Sequence, residues 1–411
     1  MPLVTELELP AFDHTDPSMR GESFHSAMAR ARGAGWLAQG PFGYMTLDRE
    51  SGEFFLRTRS AIFPGMKIAE IFGVTEGPLH EQMVRNILHV NGADHSRLRG
   101  LVNPALSPRA VERYRPEMRS FLQDLLRDAR ARSPSADRIE CDFVEAFARP
   151  YPSRVIATVM GAPLQDAPRL HHWSNWIQRQ FDAMSMASER EGIEKAVEEF
   201  YEYAGALVED RRRSPADDLI SKLIQAEEQG DRLSDVECIN LVFNILVGGV
   251  DTTQAQLAHA IRLLAQHPDQ WAALRADPGL AENAVEEALR YEPITPFTAR
   301  ILVEDVEYRD VRFPEGTIVM VCAFTGNRDL DPGDGEPDVF DITADRGRAR
   351  TLTFGAGVHY CLGANLARAE LQEGLTFLSA NLEGLELEGE PGYESVSGIY
   401  GLGALPISFA A

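Results

Sequence analysis

The chain has 411 residues, 25% of them charged and 44% hydrophobic, with a formal net charge of −23. This acidity excludes non-specific nucleic-acid binding, which needs a basic face, and the balanced composition excludes a disordered or fibrous chain. With no run of about 20 apolar residues for a membrane span, no signal segment in Met1–Pro10 and no linker or repeat, the expectation is one cytoplasmic domain over 1–411.

In chain order, short β-rich pieces come first, at Tyr44–Leu47 and Phe54–Leu56. Apolar spacings of three and four then predict helices near 95–106, 110–131, 140–160, 165–185, 190–212 and 217–228. Ser234-Asp235-Val236-Glu237 reads as a capping box. It opens a helix to about Gln266, roughly 50 Å long at 1.5 Å per residue. The middle of that helix, Ile239–Val250, is apolar on nearly all sides and should be buried. A helix over 279–291 follows, then strands at 299–303, 306–308 and 317–323, a Gly/Asp/Pro-rich loop over 326–352 and a helix over 363–381. The fold class is mainly α with small β-sheets.

Two places carry chemistry. The long helix holds Gly248-Gly249-Val250-Asp251-Thr252-Thr253 at its centre. Adjacent mid-helix glycines cost about 1 kcal/mol each relative to alanine, and buried polar side chains add to that. A threonine hydroxyl bonding a carbonyl one turn back can open the ladder, leaving a groove for dioxygen and a water. A bent core helix with small packing residues is the competing reading.

The second place is Phe354-Gly355-Ala356-Gly357-Val358-His359-Tyr360-Cys361-Leu362-Gly363, followed by a helix carrying Leu366-Ala367-Arg368-Ala369-Glu370. The glycines allow a flat ligand to approach the backbone. A cysteine just before a helix N-terminus is favoured as thiolate. The other cysteines, Cys141, Cys238 and Cys322, are too widely separated for a C-x-x-C motif. The ordered Phe-Gly-x-Gly-x-His-x-Cys-x-Gly set resembles the cysteine loop of the cytochrome P-450 superfamily, and Gly-Gly-x-Asp-Thr-Thr resembles its oxygen groove. The likeness runs from about residue 80 to the C-terminus.

The resemblance implies a soluble bacterial-type monooxygenase. Haem b (iron protoporphyrin IX) lies between the long central helix and the cysteine-loop helix. Cys361 is the axial iron ligand, and Phe354, Gly355 and Gly363 shape its loop. Thr252 positions oxygen and Asp251 links it to bulk protons. His95, Arg99, Arg300 and His359 hold the propionates. Glu287 and Arg290 form the scaffold pair. A third scaffold residue is usually an arginine where this chain has Val339; the preceding loop is long, and Arg346 is the candidate substitute. Electrons come from a separate ferredoxin and ferredoxin reductase, with Arg109, Arg113 and Arg368 as candidates for the docking face. A monomer is expected.

Substrate contacts are expected from Phe243, Asn244, Val247 and Gly248, from Thr295, Pro296 and Phe297, and from Ile399, Tyr400 and Leu402. The loop 66–88, Met184 and Met186 are candidates for a lid. Their apolar character points to a terpenoid, steroid, fatty acid or secondary metabolite. A peroxide-driven haem-thiolate enzyme and a non-catalytic haem protein are the alternatives, and the Asp251–Thr252 pair argues against both.

Overall fold

The computed structural model describes residues 1–133, 137–228, 233–331, 333–346 and 351–410. Helices dominate, with small sheets beside them. Near the N-terminus lie α1 (Gly21–Ala34), β1 (Leu37–Gly40), β2 (Gly43–Thr46), α2 (Arg49–Arg57) and β3 (Ala61–Ile62). The helical body comprises α3 (Gly92–Val102), α4 (Arg115–Arg132), α5 (Pro150–Met160), α6 (Ala167–Gln178), α7 (Arg190–Arg213), α8 (Asp235–Gly249), α9 (Asp251–Gln266) and α10 (Ala281–Tyr291). Two strands, β4 (Phe297–Leu302) and β5 (Ile318–Cys322), precede α11 (Ala364–Asn381).

One sheet runs in the order β1-β2-β5-β4-β3. Its β2–β5 pair is parallel, with Tyr44 opposite Val319, and the others are antiparallel. Two apolar clusters bind this sheet to α1 and α2. A larger one fills the helical body around α8, α9 and α11. β4 thus carries Arg300 toward the helices, and α11 packs against α4, α9 and α10.

The capping box at Ser234 is present: its hydroxyl accepts from the Glu237 amide at 3.3 Å, and Glu237 accepts from the Ser234 amide at 2.8 Å. The helix it opens is interrupted at Val250, whose φ/ψ of −91°/−73° separates α8 from α9. Among the described residues, Asp235–Gln266 is the one helix long and apolar enough to cross a membrane, and 61% of its most apolar stretch is buried inside the protein.

Three predicted elements differ. Phe54–Leu56 is helical, because Asp48 caps α2 by accepting from the Ser51 amide at 2.8 Å, and Phe54 stacks on Tyr308 at 4.3 Å. The expected helix 140–160 begins as a strand, where Glu140 and Cys141 pair with Ser408 and Ile407. The expected helix 165–185 breaks after Gln178, and Asp182 caps a separate turn at Ala183–Ser188.

Candidate active site

The cysteine loop folds over α2. Gly355 and Gly357 have φ of +68° and +72°. A Cβ on Gly357 would lie 2.6 Å from the Leu56 carbonyl oxygen, so only glycine fits that turn. The Cys361 amide donates to the Phe354 carbonyl at 2.9 Å, which fixes the residue just ahead of α11. Burial pushes the Cys361 thiol up. The amides of Gly363 and Ala364 and the guanidiniums of Arg99 and Arg368 pull against it. A coordinating metal deprotonates such a thiol outright, and these donors then stabilise the thiolate.

Beside the loop lies a cluster of basic side chains, two histidines and two arginines. His95 is buried, and its ring centroid is 4.3 Å from that of His359. Arg99 donates to the Tyr360 carbonyl. Arg300 is 3% exposed, and among the described residues its guanidinium bonds only the carbonyl of Ala299, at 2.8 Å. Burial lowers it to about 10. Burial and the surrounding His95, Arg300, Arg99 and His89 lower His359 to about 3. Among the described residues no carboxylate pairs with His95, Arg99, Arg300 or His359. A buried guanidinium without an acid fits an anionic group such as a haem propionate. A Cβ on Gly248 or Gly363 would meet nothing within 4 Å, so the backbone on both sides has room for a flat macrocycle. The residues therefore fit a haem held on Cys361.

His89 belongs to this neighbourhood, and sequence reasoning missed it. Its ring stacks on Phe63 at 5.3 Å and sits where a Cβ on Gly65 would be, 2.4 Å away. Burial pushes it to about 4. A lone histidine at the end of an irregular loop carries no spacing signal.

The groove residues meet at the helix break. Thr252 Oγ1 donates to the Gly248 carbonyl at 2.7 Å, and Gln178 of α6 donates to the Val247 carbonyl. Side chains thus engage two successive carbonyls at the break. Asp251, the residue before Thr252, is buried against α6. Ser174 Oγ donates to its Oδ2 and Asn175 Nδ2 to its Oδ1 at 3.4 Å, while His171 Nε2 lies 4.0 Å from Oδ1. Burial pushes the Asp251 carboxyl up, and His171, Ser174 and Asn175 pull it back.

Glu287 and Arg290 form a buried bidentate pair at 2.7 and 2.8 Å. Arg346 completes the scaffold with a second fork onto Glu287, at 2.9 and 3.3 Å. The Val339 side chain is exposed, but its carbonyl accepts from Arg290 at 2.9 Å and from Arg346 at 3.0 Å. The missing arginine is replaced from seven positions downstream.

Of the expected substrate contacts, Gly248 is exposed and Asn244, Thr295 and Ile399 are partly exposed. The stretch 66–88, expected as a loop, folds largely as two helices, Gly65–Ile71 and Pro78–Arg85, and Asn244 Oδ1 ties its end to α8 by accepting from the Ile87 amide at 3.0 Å. Val247, Pro296 and Leu402 are buried. Three aromatic candidates are core residues instead. Phe243 packs on Phe200 and Tyr201 of α7, Phe297 on Phe12 and Phe24, and Tyr400 on Phe24 with its hydroxyl accepting from the Gly21 amide. Met184 is exposed and Met186 buried.

Comparison with known proteins agrees with this geometry. A family model described as Cytochrome P450 matches residues 73–391. Luteothin monooxygenase of Streptomyces thioluteus is 35% identical over 408 residues, 98% of this chain and 97% of the relative. Mycinamicin IV hydroxylase/epoxidase of Micromonospora griseorubida is 37% identical over 309 residues, 75% of each chain. The crystal structure of CalO2 superposes with a TM-score of 0.88 at 32% identity, covering 98% of this chain and 99% of the other. A family match spanning the helix break and the cysteine loop, with a relative alike almost from end to end, makes this chain a member of the cytochrome P450 family and a monooxygenase.

Proposed function

We propose that the enzyme carries haem b on Cys361 and uses dioxygen to hydroxylate or epoxidise a mostly apolar secondary metabolite. Electrons come from a separate ferredoxin and ferredoxin reductase, and the enzyme works as a cytoplasmic monomer. The observation that carries the dioxygen reading is the Thr252 hydroxyl on the Gly248 carbonyl beside the buried Asp251. A peroxide-driven enzyme has no need of that proton path. Two relatives named for oxidation of particular metabolites, luteothin and mycinamicin IV, support the substrate class.

When bound, haem supplies the electron and oxygen chemistry. The protein's residues do the rest. Cys361 would hold the iron and donate electron density to it, with the Gly363 and Ala364 amides tuning the sulfur. Arg99, Arg300, His95 and His359 would hold the anionic propionates. Gly248 leaves the groove open. Thr252 holds a proton donor at the groove, and Asp251 brings protons to it from outside. Asn244, Thr295 and Ile399 orient the substrate and exclude water.

The test is turnover with a surrogate ferredoxin, its reductase and NADH against a library of apolar metabolites. The expected result is oxygenated product matched to NADH consumed. Product formed with hydrogen peroxide alone, and none with NADH and dioxygen, would overturn the reading.

A further inference from the structure

We propose that His171 is the outer member of the proton path, taking protons from solvent and handing them to Asp251. This rests on the reading that Asp251 supplies the groove, and it names the residue that supplies Asp251.

His171, Ser174, Asn175 and Gln178 fall at i, i+3, i+4 and i+7 on α6, one face of the helix. All four turn toward the break between α8 and α9. Gln178 bonds the Val247 carbonyl, Ser174 and Asn175 bond Asp251, and His171 Nε2 lies 3.0 Å from Gln254 Oε1. Such a stripe would ordinarily be apolar where two helices pack. This face leaves the Asp251 side chain almost fully enclosed.

Of the three side chains touching Asp251, only His171 can supply it. Ser174 is fully buried, and an amide such as Asn175 does not titrate. His171 is an imidazole, the group whose charge changes near neutral pH. Its side chain keeps 16% of its surface exposed, against 8% for Asp251. Gln254 Oε1 is an acceptor, so Nε2 carries the hydrogen in the neutral ring. Asp251 Oδ1 stands 4.0 Å from the same nitrogen, within reach of a small ring rotation.

The step balances without electrons. Nδ1 gains a proton from water. The Nε2–H bond breaks as an Oδ1–H bond forms, leaving a neutral carboxyl and a neutral imidazole protonated on Nδ1. Exchange with water restores the starting tautomer.

The surroundings suit such an exchange. Burial pushes His171 down and Asp251 up, so the two acidities approach each other. A narrower gap between the two lowers the cost of passing a proton from one to the other. The other charged groups facing His171 are Arg149, which pulls it down, and Glu145, which pulls it up. These two are ion-paired with each other, and the Arg149 effect is the larger. Glu394 of the C-terminal segment faces Asp251, held in turn by the fields of Arg179, Arg149 and Arg20.

Two measurements on the haem-loaded enzyme test this. The first is an NMR titration of the His171 ring in the diamagnetic reduced carbon monoxide form, assigned through its contact with α6 neighbours. In Asp251→Asn the His171 midpoint should fall by roughly one unit, the effect of removing an adjacent carboxylate. An unchanged midpoint overturns the proposal. The second is turnover of His171→Gln and His171→Lys. His171→Gln should bind substrate normally but lower kcat roughly 10- to 100-fold, raise the solvent isotope effect and flatten the acidic limb of the pH profile. His171→Lys should recover part of the rate at a shifted pH. A wild-type profile and isotope effect in His171→Gln overturn the proposal. Wild-type enzyme that makes no product refutes the monooxygenase reading instead, while the titration still decides the His171–Asp251 link and remains available if His171→Gln does not fold.

Discussion

Arg300 shows how a single residue declares a ligand. A buried guanidinium without an acid is unfavourable in the protein alone and favourable once an anion arrives. Arg300→Leu should therefore have opposite effects on two measurements. The haem-free protein should resist urea better, while haem affinity, read by transfer to an acceptor apoprotein, should fall roughly 10- to 100-fold for a lost charged hydrogen bond. Glu370 is the opposite case. It is fully buried, neither carboxyl oxygen has a hydrogen-bond partner among the described residues, and burial alone raises it well above the carboxylate range. A carboxyl raised in the folded state stabilises below its unfolded value of about 4.3. That contribution is lost as pH rises toward the folded value. Glu370→Gln should leave the urea midpoint near pH 5 almost unchanged and raise it near pH 8. Equal effects at both pH values would refute a buried neutral acid. At this scale Cys361, Thr252, Glu287 and Arg290 were legible because each sits in an ordered motif. Arg346 was legible only as a candidate, because its contact with Glu287 spans 59 positions.

At the scale of elements, the break between α8 and α9 separates two glycines that the sequence leaves equivalent. A Cβ on Gly248 meets nothing within 4 Å, whereas one on Gly249 lies 2.3 Å from Ile156 Cδ1. Gly248→Ala should keep or raise stability by up to about 1 kcal/mol through helix propensity and should shift substrate affinity by narrowing the groove. Gly249→Ala should cost about 1–3 kcal/mol through overpacking against α5. Thermal unfolding and substrate titration of the pair check both. The capping box, the length of the central helix and its buried middle were readable from pattern. The polar stripe on α6 was not, since polar residues at helical spacing ordinarily face solvent. Nor was the helical state of Phe54–Leu56, where the Asp48 cap outweighs aromatic strand preference.

For the whole molecule, the net charge of −23 means that the ferredoxin proposed above as electron donor, if itself acidic, must dock through a few local cations. Of the three arginines expected there, Arg113 is bonded to Asp217 and Arg368 to Glu286. Arg109 is exposed, with no ion pair among the described residues. Arg109→Glu should raise the KM for ferredoxin several-fold at low salt, and the difference should shrink as ionic strength screens it. An effect independent of salt would place docking elsewhere. The sequence by itself determined the family and the mainly helical class and singled out Cys361 and the Asp251–Thr252 pair as candidates, because these reside in local motifs and periodicity that need no partner to be read. Tertiary structure alone decided that His171 faces Asp251, that Arg346 replaces the missing scaffold arginine, and that Phe243, Phe297 and Tyr400 are core residues. Each of those depends on which faces of distant segments are pressed together, and chain spacing does not encode that.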